Sequence, residues 1–194
     1  MTEKNELKHI AVVMDGNRSW ATAKGMPKLL GHTQGAKNLR RVSIAASEQG
    51  IEYLTLWGLS TENLKKRGEK ELAHLFGLAN KIVNYISDFN EYNVKFNTIG
   101  DLSKIPEKTQ AAMQTVKDNT KTNTGLVLTL AINYGGKDDI IRGIKKLISE
   151  GKTEITEEDF SDYLDTSGMP DVDLMIRTSD HQRLSGYLLW QASY

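Results

Sequence analysis

HIAVVMDGNRSWA, residues 9–21, changes character halfway: an apolar run ends at Met14, and Asp15, Gly16, Asn17 and Arg18 follow in succession. A short apolar run cut by a polar cluster reads as a buried strand whose far end opens to solvent. Four other runs have the same look: YLTLWGL (53–59), VKFNTIG (94–100), LVLTLAI (126–132) and VDLMIR (172–177). Between them lie segments with helical spacing at 33–48, 70–90, 104–120 and 138–149. In 70–90, Leu72, Leu75, Phe76, Ala79, Ile82, Val83 and Ile86 recur at threes and fours, so one broad stripe is apolar and must cover a greasy surface. A further short helix starts near TEEDF, where Thr156 and Asp159 have the spacing of a cap with an acidic partner. Strand and helix alternate throughout. That order predicts an α/β fold, a mostly parallel central sheet with right-handed crossovers and flanking helices, in a single domain over residues 1–194.

Ligands of such sheets bind beyond the carboxyl ends of the strands, so polar clusters should follow strands and not precede them. DGNRSW follows the first strand, STENLKKR (60–67) the second, NYGGKDD (133–139) the fourth and RTSDHQRLS (177–185) the fifth. Lysine plus arginine and aspartate plus glutamate are both 25, so overall charge draws the chain neither to nucleic acid nor to an anionic membrane. Any bound anion must be held locally. The absence of cysteine excludes disulfide scaffolds and cysteine-rich zinc sites. No segment approaches the roughly 20 apolar residues of a membrane span, and the expectation is a soluble, cytoplasmic protein.

Two readings of the first cluster stand side by side. Gly16 permits close backbone approach, and a helix opening after Asp15 would offer free N–H groups to an anion. A carboxylate beside a bound polyanion calls for a cation between them, most economically Mg²⁺ bridging Asp15 and a diphosphate. Alternatively Asp15-Gly16 is a turn and Asn17 caps the next helix. The other clusters divide likewise. Arg177 and Arg183, with Ser185, could grip phosphate oxygens or form surface ion pairs. Lys65, Lys66 and Arg67 form a basic run or a solvated face, and His32 follows Gly31 as a phosphate donor or a loop histidine. Glu62 and Asn63 orient a proton acceptor or cap a helix. Neither a GxxxxGKS/T loop nor a GxGxxG after the first strand is present, which removes the usual support for nucleotide hydrolases and Rossmann dehydrogenases. KDDIIRG is not the DDxxD of trans-prenyl synthases.

Taken in order, HIAVVMDGNRSWA, GHTQGAKNL, LTLWGLSTEN, LVLTLAINYGGKDDI and DLMIRTSDHQRLSGYLLWQASY resemble the cis-prenyltransferase family, to which undecaprenyl diphosphate synthase belongs. The resemblance implies a transferase that condenses isopentenyl diphosphate with an allylic diphosphate, such as farnesyl diphosphate, forming a cis double bond at each addition. It implies that Asp15 binds Mg²⁺ and positions the allylic diphosphate, which Gly16, Asn17 and Arg18 cradle with Lys28 and His32. Arg177, Arg183 and Ser185 would hold isopentenyl diphosphate, with Leu184 alongside. Asn63 would take part in removing the proton, with Ser60 nearby, relaying it because an amide is a poor base. Ser19, Trp20, Thr61, Glu62, Leu64 and Lys66 complete the substrate contacts that the resemblance implies. It further implies an apolar tunnel between the sheet and helices, walled by 70–90 and 126–132, a homodimer, and at most peripheral membrane contact through the lipid product.

The chain departs from the pattern in places. Ser19 replaces an arginine, Lys28 and Lys66 stand for arginines, Leu64 for a tryptophan, Asp180 and His181 for glycine and glutamate, and Gly186 for an asparagine. The family's second Mg²⁺-binding glutamate follows the LLWQxxY segment, beyond Tyr194, so the expectation is a fragment lacking the C-terminal segment, with Asp15 the sole metal ligand. A second expectation, from another class, is a catalytically weak or silent relative that binds polyprenyl chains or serves as a partner subunit.

Overall fold

The structure, a computed structural model, describes residues 7–193. Its strands are β1 (His9–Val13), β2 (Tyr53–Ser60), β3 (Lys95–Ile99), β4 (Val127–Tyr134) and β5 (Leu174–Arg177). Every pairing is parallel, in the order β3-β4-β2-β1-β5. The helices are α1 (Asn17–Ala23), α2 (Lys28–Glu48), α3 (Thr61–Lys66), α4 (Glu69–Asn80), α5 (Ile86–Glu91), α6 (Glu107–Thr120), α7 (Gly136–Ser149) and α8 (Glu157–Ser161). The sheet is the parallel, helix-flanked one that the alternation predicts. Strand side chains alternate between its two faces. Val12, Leu54, Leu56, Leu128 and Leu130 pack with Phe89, Met113 and Val116 of the helices on one side. Ala11, Val13 and Ala131 pack with Tyr187 and Leu188 on the other.

The helices depart from the expected bounds in instructive ways. α2 begins at Lys28, five residues before the predicted start, so Gly31 lies inside the helix along with Gly35. They serve as contact points: a Cβ on Gly31 would lie 1.9 Å from the Asn17 carbonyl oxygen, and one on Gly35 would lie 2.8 Å from the Asn17 side chain. Only hydrogen at both positions lets α1 lie this close to α2. The predicted helix 70–90 is interrupted by a 3₁₀ segment, Lys81–Tyr85, between α4 and α5. A 3₁₀ turn eclipses residues three apart, and here it turns Ile82 and Tyr85 toward the same cavity. The cap at Thr156 is present in full, with the Asp159 N–H donating to Thr156 Oγ1 at 3.1 Å and the Thr156 N–H to Asp159 Oδ2 at 2.9 Å.

Candidate functional site

The carboxyl ends of β1, β2 and β5 surround a polar cavity of about 830 Å³. β1 delivers Asp15 to it through a sharp turn. Gly16 sits at φ +86°, a left-handed conformation that glycine adopts without strain, and it caps α1. Asn17 therefore occupies the first turn and does not cap the helix; its side-chain amide donates to the Met14 carbonyl at 3.3 Å. β2 carries a bulge: the register slips between Trp57 and Leu59, next to Ala131 and Ile132 of β4. Bulges re-aim side chains, and Trp57, Gly58, Leu59 and Ser60 all line the cavity. Ser60 caps α3, its hydroxyl accepting the Asn63 N–H at 3.0 Å, so neither Glu62 nor Asn63 is the capping residue.

Asp15 and Arg177 form the centre. Arg177 Nη2 donates to Asp15 Oδ2 at 2.6 Å, and its Nη1 donates to the Arg183 carbonyl at 2.6 Å and to Ser185 Oγ at 2.8 Å. Asp15 Oδ1 accepts the Gly16 N–H at 2.8 Å. Burial alone would raise the Asp15 carboxyl, but the Arg177 and Gly16 hydrogen bonds outweigh it and hold the acid below its ordinary value. It is an anion at neutral pH, and 37% of the side chain stays exposed. Arg177 Nε is buried without a hydrogen-bond partner among the described residues. The Ser185 loop is fixed from below, where Tyr187 stacks on Trp57 at 4.6 Å between ring centroids. The Gly136 N–H donates to the Gly186 carbonyl at 2.7 Å.

On the opposite wall, Glu71 of α4 gathers basic groups. His32 Nε2 donates to Glu71 Oε1 at 3.0 Å, and Arg67 and Arg18 lie 3.3 and 3.8 Å from the same oxygen. Burial, helped by the nearby Arg67 charge, pulls the His32 imidazole below its ordinary value despite Glu71.

Of the residues singled out in the sequence, Asp15, Gly16, Asn17, Arg18, Ser19, Lys28, His32, Ser60, Glu62, Asn63, Arg177, Arg183 and Ser185 line this cavity. Trp20, Thr61, Leu64, Lys66 and Leu184 do not. Trp20 is exposed on α1 with Lys24 over its ring at 4.8 Å. Thr61 faces Gly135, and Leu64 packs against the core. Lys66, 72% exposed, pairs with Glu62 in solvent. Its neighbour Arg67 lines the cavity instead: the chain leaves α3 at Arg67 in extended backbone, and that turns the third residue of the basic run inward. Sequence reading singled out Arg67 only as part of the basic run, and it did not name Glu71. The spacing of four between them, ready for an ion pair across a helical turn, offered a signal for Glu71.

The polar cavity borders a smaller apolar one of about 130 Å³, and Met14, Asn17, His32, Gly58, Leu59 and Arg67 line both. Leu75, Phe76, Ala79, Ile82 and Tyr85 wall the apolar side with Leu130 and Ile132 of β4. A polar cavity rich in basic residues beside an apolar recess has the chemistry to suit an amphiphile with a charged head and a greasy tail. Among the described residues no three His, Asp or Glu side chains cluster as a metal cage. Asp15, at the strand end, carries the carboxylate that could hold a hard cation in this cavity.

Comparison with known proteins agrees with this geometry. Residues 13–194 match the family described as "Putative undecaprenyl diphosphate synthase". The chain is similar to an isoprenyl transferase of Clostridium perfringens, 45% identical over 96% of this chain and 76% of the relative. It is 42% identical to a ditrans,polycis-undecaprenyl-diphosphate synthase, (2E,6E)-farnesyl-diphosphate specific, of Micrococcus luteus, over 96% of this chain and 78% of the relative. Among solved structures it resembles lavandulyl diphosphate synthase from Lavandula x intermedia, crystallised with dimethylallyl diphosphate. There the TM-score is 0.90 and the identity 32%, over 95% of this chain and 83% of that one. Basin, recess and ordered motifs thus place this chain in the undecaprenyl diphosphate synthase family of isoprenyl transferases.

Proposed function

We propose that the protein condenses isopentenyl diphosphate with an allylic diphosphate such as farnesyl diphosphate, extending it by cis additions to a polyprenyl diphosphate. The observation that carries this reading is the adjacency of the two cavities, with Asn17, His32 and Arg67 at the border between polar and apolar walls. The allylic diphosphate sits by Asp15, Gly16, Asn17, Arg18, Lys28 and His32, and its hydrocarbon leaves through the recess, the start of a tunnel. Isopentenyl diphosphate is held by Arg177, Arg183 and Ser185, which line the cavity together. Relatives named for farnesyl diphosphate and bound to dimethylallyl diphosphate support this assignment.

Chemically, the allylic C–O bond breaks, and the double bond of isopentenyl diphosphate supplies the electrons of the new C–C bond. A proton then leaves the former isopentenyl unit. Charge grows on the departing diphosphate, and the fixed donors around it stabilise that charge as it appears. Asp15 would hold Mg²⁺, which when bound supplies further neutralisation at the leaving diphosphate. Positioning both substrates in one cavity removes much of the entropic barrier. Asn63, with Ser60 at its helix cap, passes the proton to water or diphosphate.

The working form in this reading is a cytoplasmic homodimer that meets membranes only through its product. The exposed Ile141, Ile144 and Ile148, one stripe along α7, support a partner copy. No helix among the described residues is long and apolar enough to cross a membrane. Incubating the protein with labelled isopentenyl diphosphate and farnesyl diphosphate, with Mg²⁺ or chelator, tests the reaction. Metal-dependent products longer than the starter are expected. A folded protein that elongates nothing would overturn the catalytic reading in favour of a silent binding partner, and light scattering would report the dimer.

A further inference from the structure

An acidic side chain stands against the wall assigned above to the allylic diphosphate. Glu71 Oε1 meets His32 of α2 at 3.0 Å, Arg67 at 3.3 Å and Arg18 of α1 at 3.8 Å. The Arg67 and Arg18 guanidinium groups, both drawn to one oxygen, repel each other unless an anion lies between them. Glu71 is that anion: burial works against its charge, but His32, Arg67 and Arg18 together hold the acid below its ordinary value. Its side chain is 19% exposed, so solvent screens it only in part. Yet a fixed negative charge behind a diphosphate site lowers affinity for the diphosphate. Arg18 makes the longest of the three contacts, and 49% of its side chain is exposed. It is the member of the group free to turn into the cavity that it lines.

We propose that Glu71 is a stand-in anion: it gathers Arg18, Arg67 and His32 while no diphosphate is bound, and releases Arg18 to the allylic diphosphate on binding. Glu71 is then a positioning residue, separate from the groups that touch substrate. This inference rests on the reading of the cavity given above.

Glu71→Gln separates the charge from the shape, because the amide oxygen still accepts from His32. Titration calorimetry with farnesyl diphosphate and Mg²⁺, without isopentenyl diphosphate, should give about five- to tenfold tighter binding and a steeper salt dependence for this variant. The turnover rate should fall about tenfold, since the basic groups are less well placed for reaction. Thermal unfolding should find the ligand-free variant less stable than the parent but stabilised more by the ligand. Glu71→Asp, which keeps the charge but withdraws it from Arg18, should lie between. In an Arg18→Ala background the gain should shrink to about twofold or less, because the competition has lost its object. A strut would behave otherwise: Glu71→Gln would bind the diphosphate equally or more weakly, and that result overturns the proposal, as does a full gain in the absence of Arg18. If the unsubstituted protein takes up no farnesyl diphosphate, the reading of the cavity falls and this inference with it; if the parent binds and Glu71→Gln binds no tighter, only the inference falls.

Discussion

Asp15 and Asp139 are both carboxylates placed between a parallel strand and the body of the next helix, and they have opposite fates. Asp15, after β1, faces the cavity, and the Arg177 and Gly16 contacts keep it charged. Asp139, after β4, is 1% exposed. It accepts the Tyr134 hydroxyl and the Asp165 N–H, both at 3.0 Å, and burial together with the negative Asp165 raises its carboxyl above the ordinary value. The end of a strand offers a carboxylate two uses. Where solvent reaches it, the charge is available to a ligand; where it is sealed, the same group becomes a strut that ties β4 to the segment around Asp165.

The sharpest way to break this comparison is to remove each carboxylate in turn. Asp15→Ala should cut product formation by about 10²- to 10³-fold, as loss of a fixed electrostatic partner does elsewhere, with little change in unfolding temperature. Asp139→Ala should reverse the pattern: activity per folded molecule nearly unchanged, and stability to denaturant lower by about 1–3 kcal/mol because the buried Tyr134 hydroxyl and the half-buried Asp165 N–H lose their acceptor. If Asp139→Ala also abolished turnover at full stability, the division into ligand site and strut would be wrong. Gly31→Ala probes the support behind Asp15. Its methyl group would collide with the Asn17 backbone, and a loss of about 1–3 kcal/mol is expected on thermal unfolding.

A smaller effect should come from the other end of the sheet. His9 is buried, its ring nitrogens 2.8 Å from the Pro170 carbonyl and from Thr55 Oγ1, and burial lowers its imidazole from the ordinary 6.5. A group whose folded value lies below its unfolded value binds fewer protons when folded, so stability is full above 6.5 and declines as pH falls below it. Denaturant midpoints at about pH 7.5 and about pH 5.5 should therefore differ, and His9→Gln should reduce that difference without removing it, since His32 is shifted the same way. Smallest of all is Tyr187→Phe. The hydroxyl is buried with no partner among the described residues, so its removal should change stability by less than about 1 kcal/mol and leave the Trp57 stack intact.

The five strands were legible because buried parallel strands are near-continuous apolar runs, and the site because its polar residues follow them. Asp15, Arg177, Arg183 and Ser185 stand where that rule puts them. Three things were not legible, for physical reasons. Gly31, left outside the expected helix, looks like a breaker until α1 is seen lying on it. The 3₁₀ segment keeps the apolar spacing of its neighbours and changes only the winding. The inward turn of Arg67 depends on backbone angles after α3, which a run of three like charges does not encode. Asp139 was grouped with the other polar clusters after strands, and only its burial removes it from that company.

Asp15 and Arg177 stand 162 positions apart, and β1 pairs on one side with β2 and on the other with β5. On the ribosome, β1 and β2 can meet early, but the guanidinium that holds Asp15 emerges only near the end of this stretch. Such distant pairings close late in folding. Until then Asp15 is a carboxylate without its arginine, and a half-made chain has no assembled grip on a diphosphate. The charge pair at the centre of the cavity is thus completed by the last of the described strands to be made.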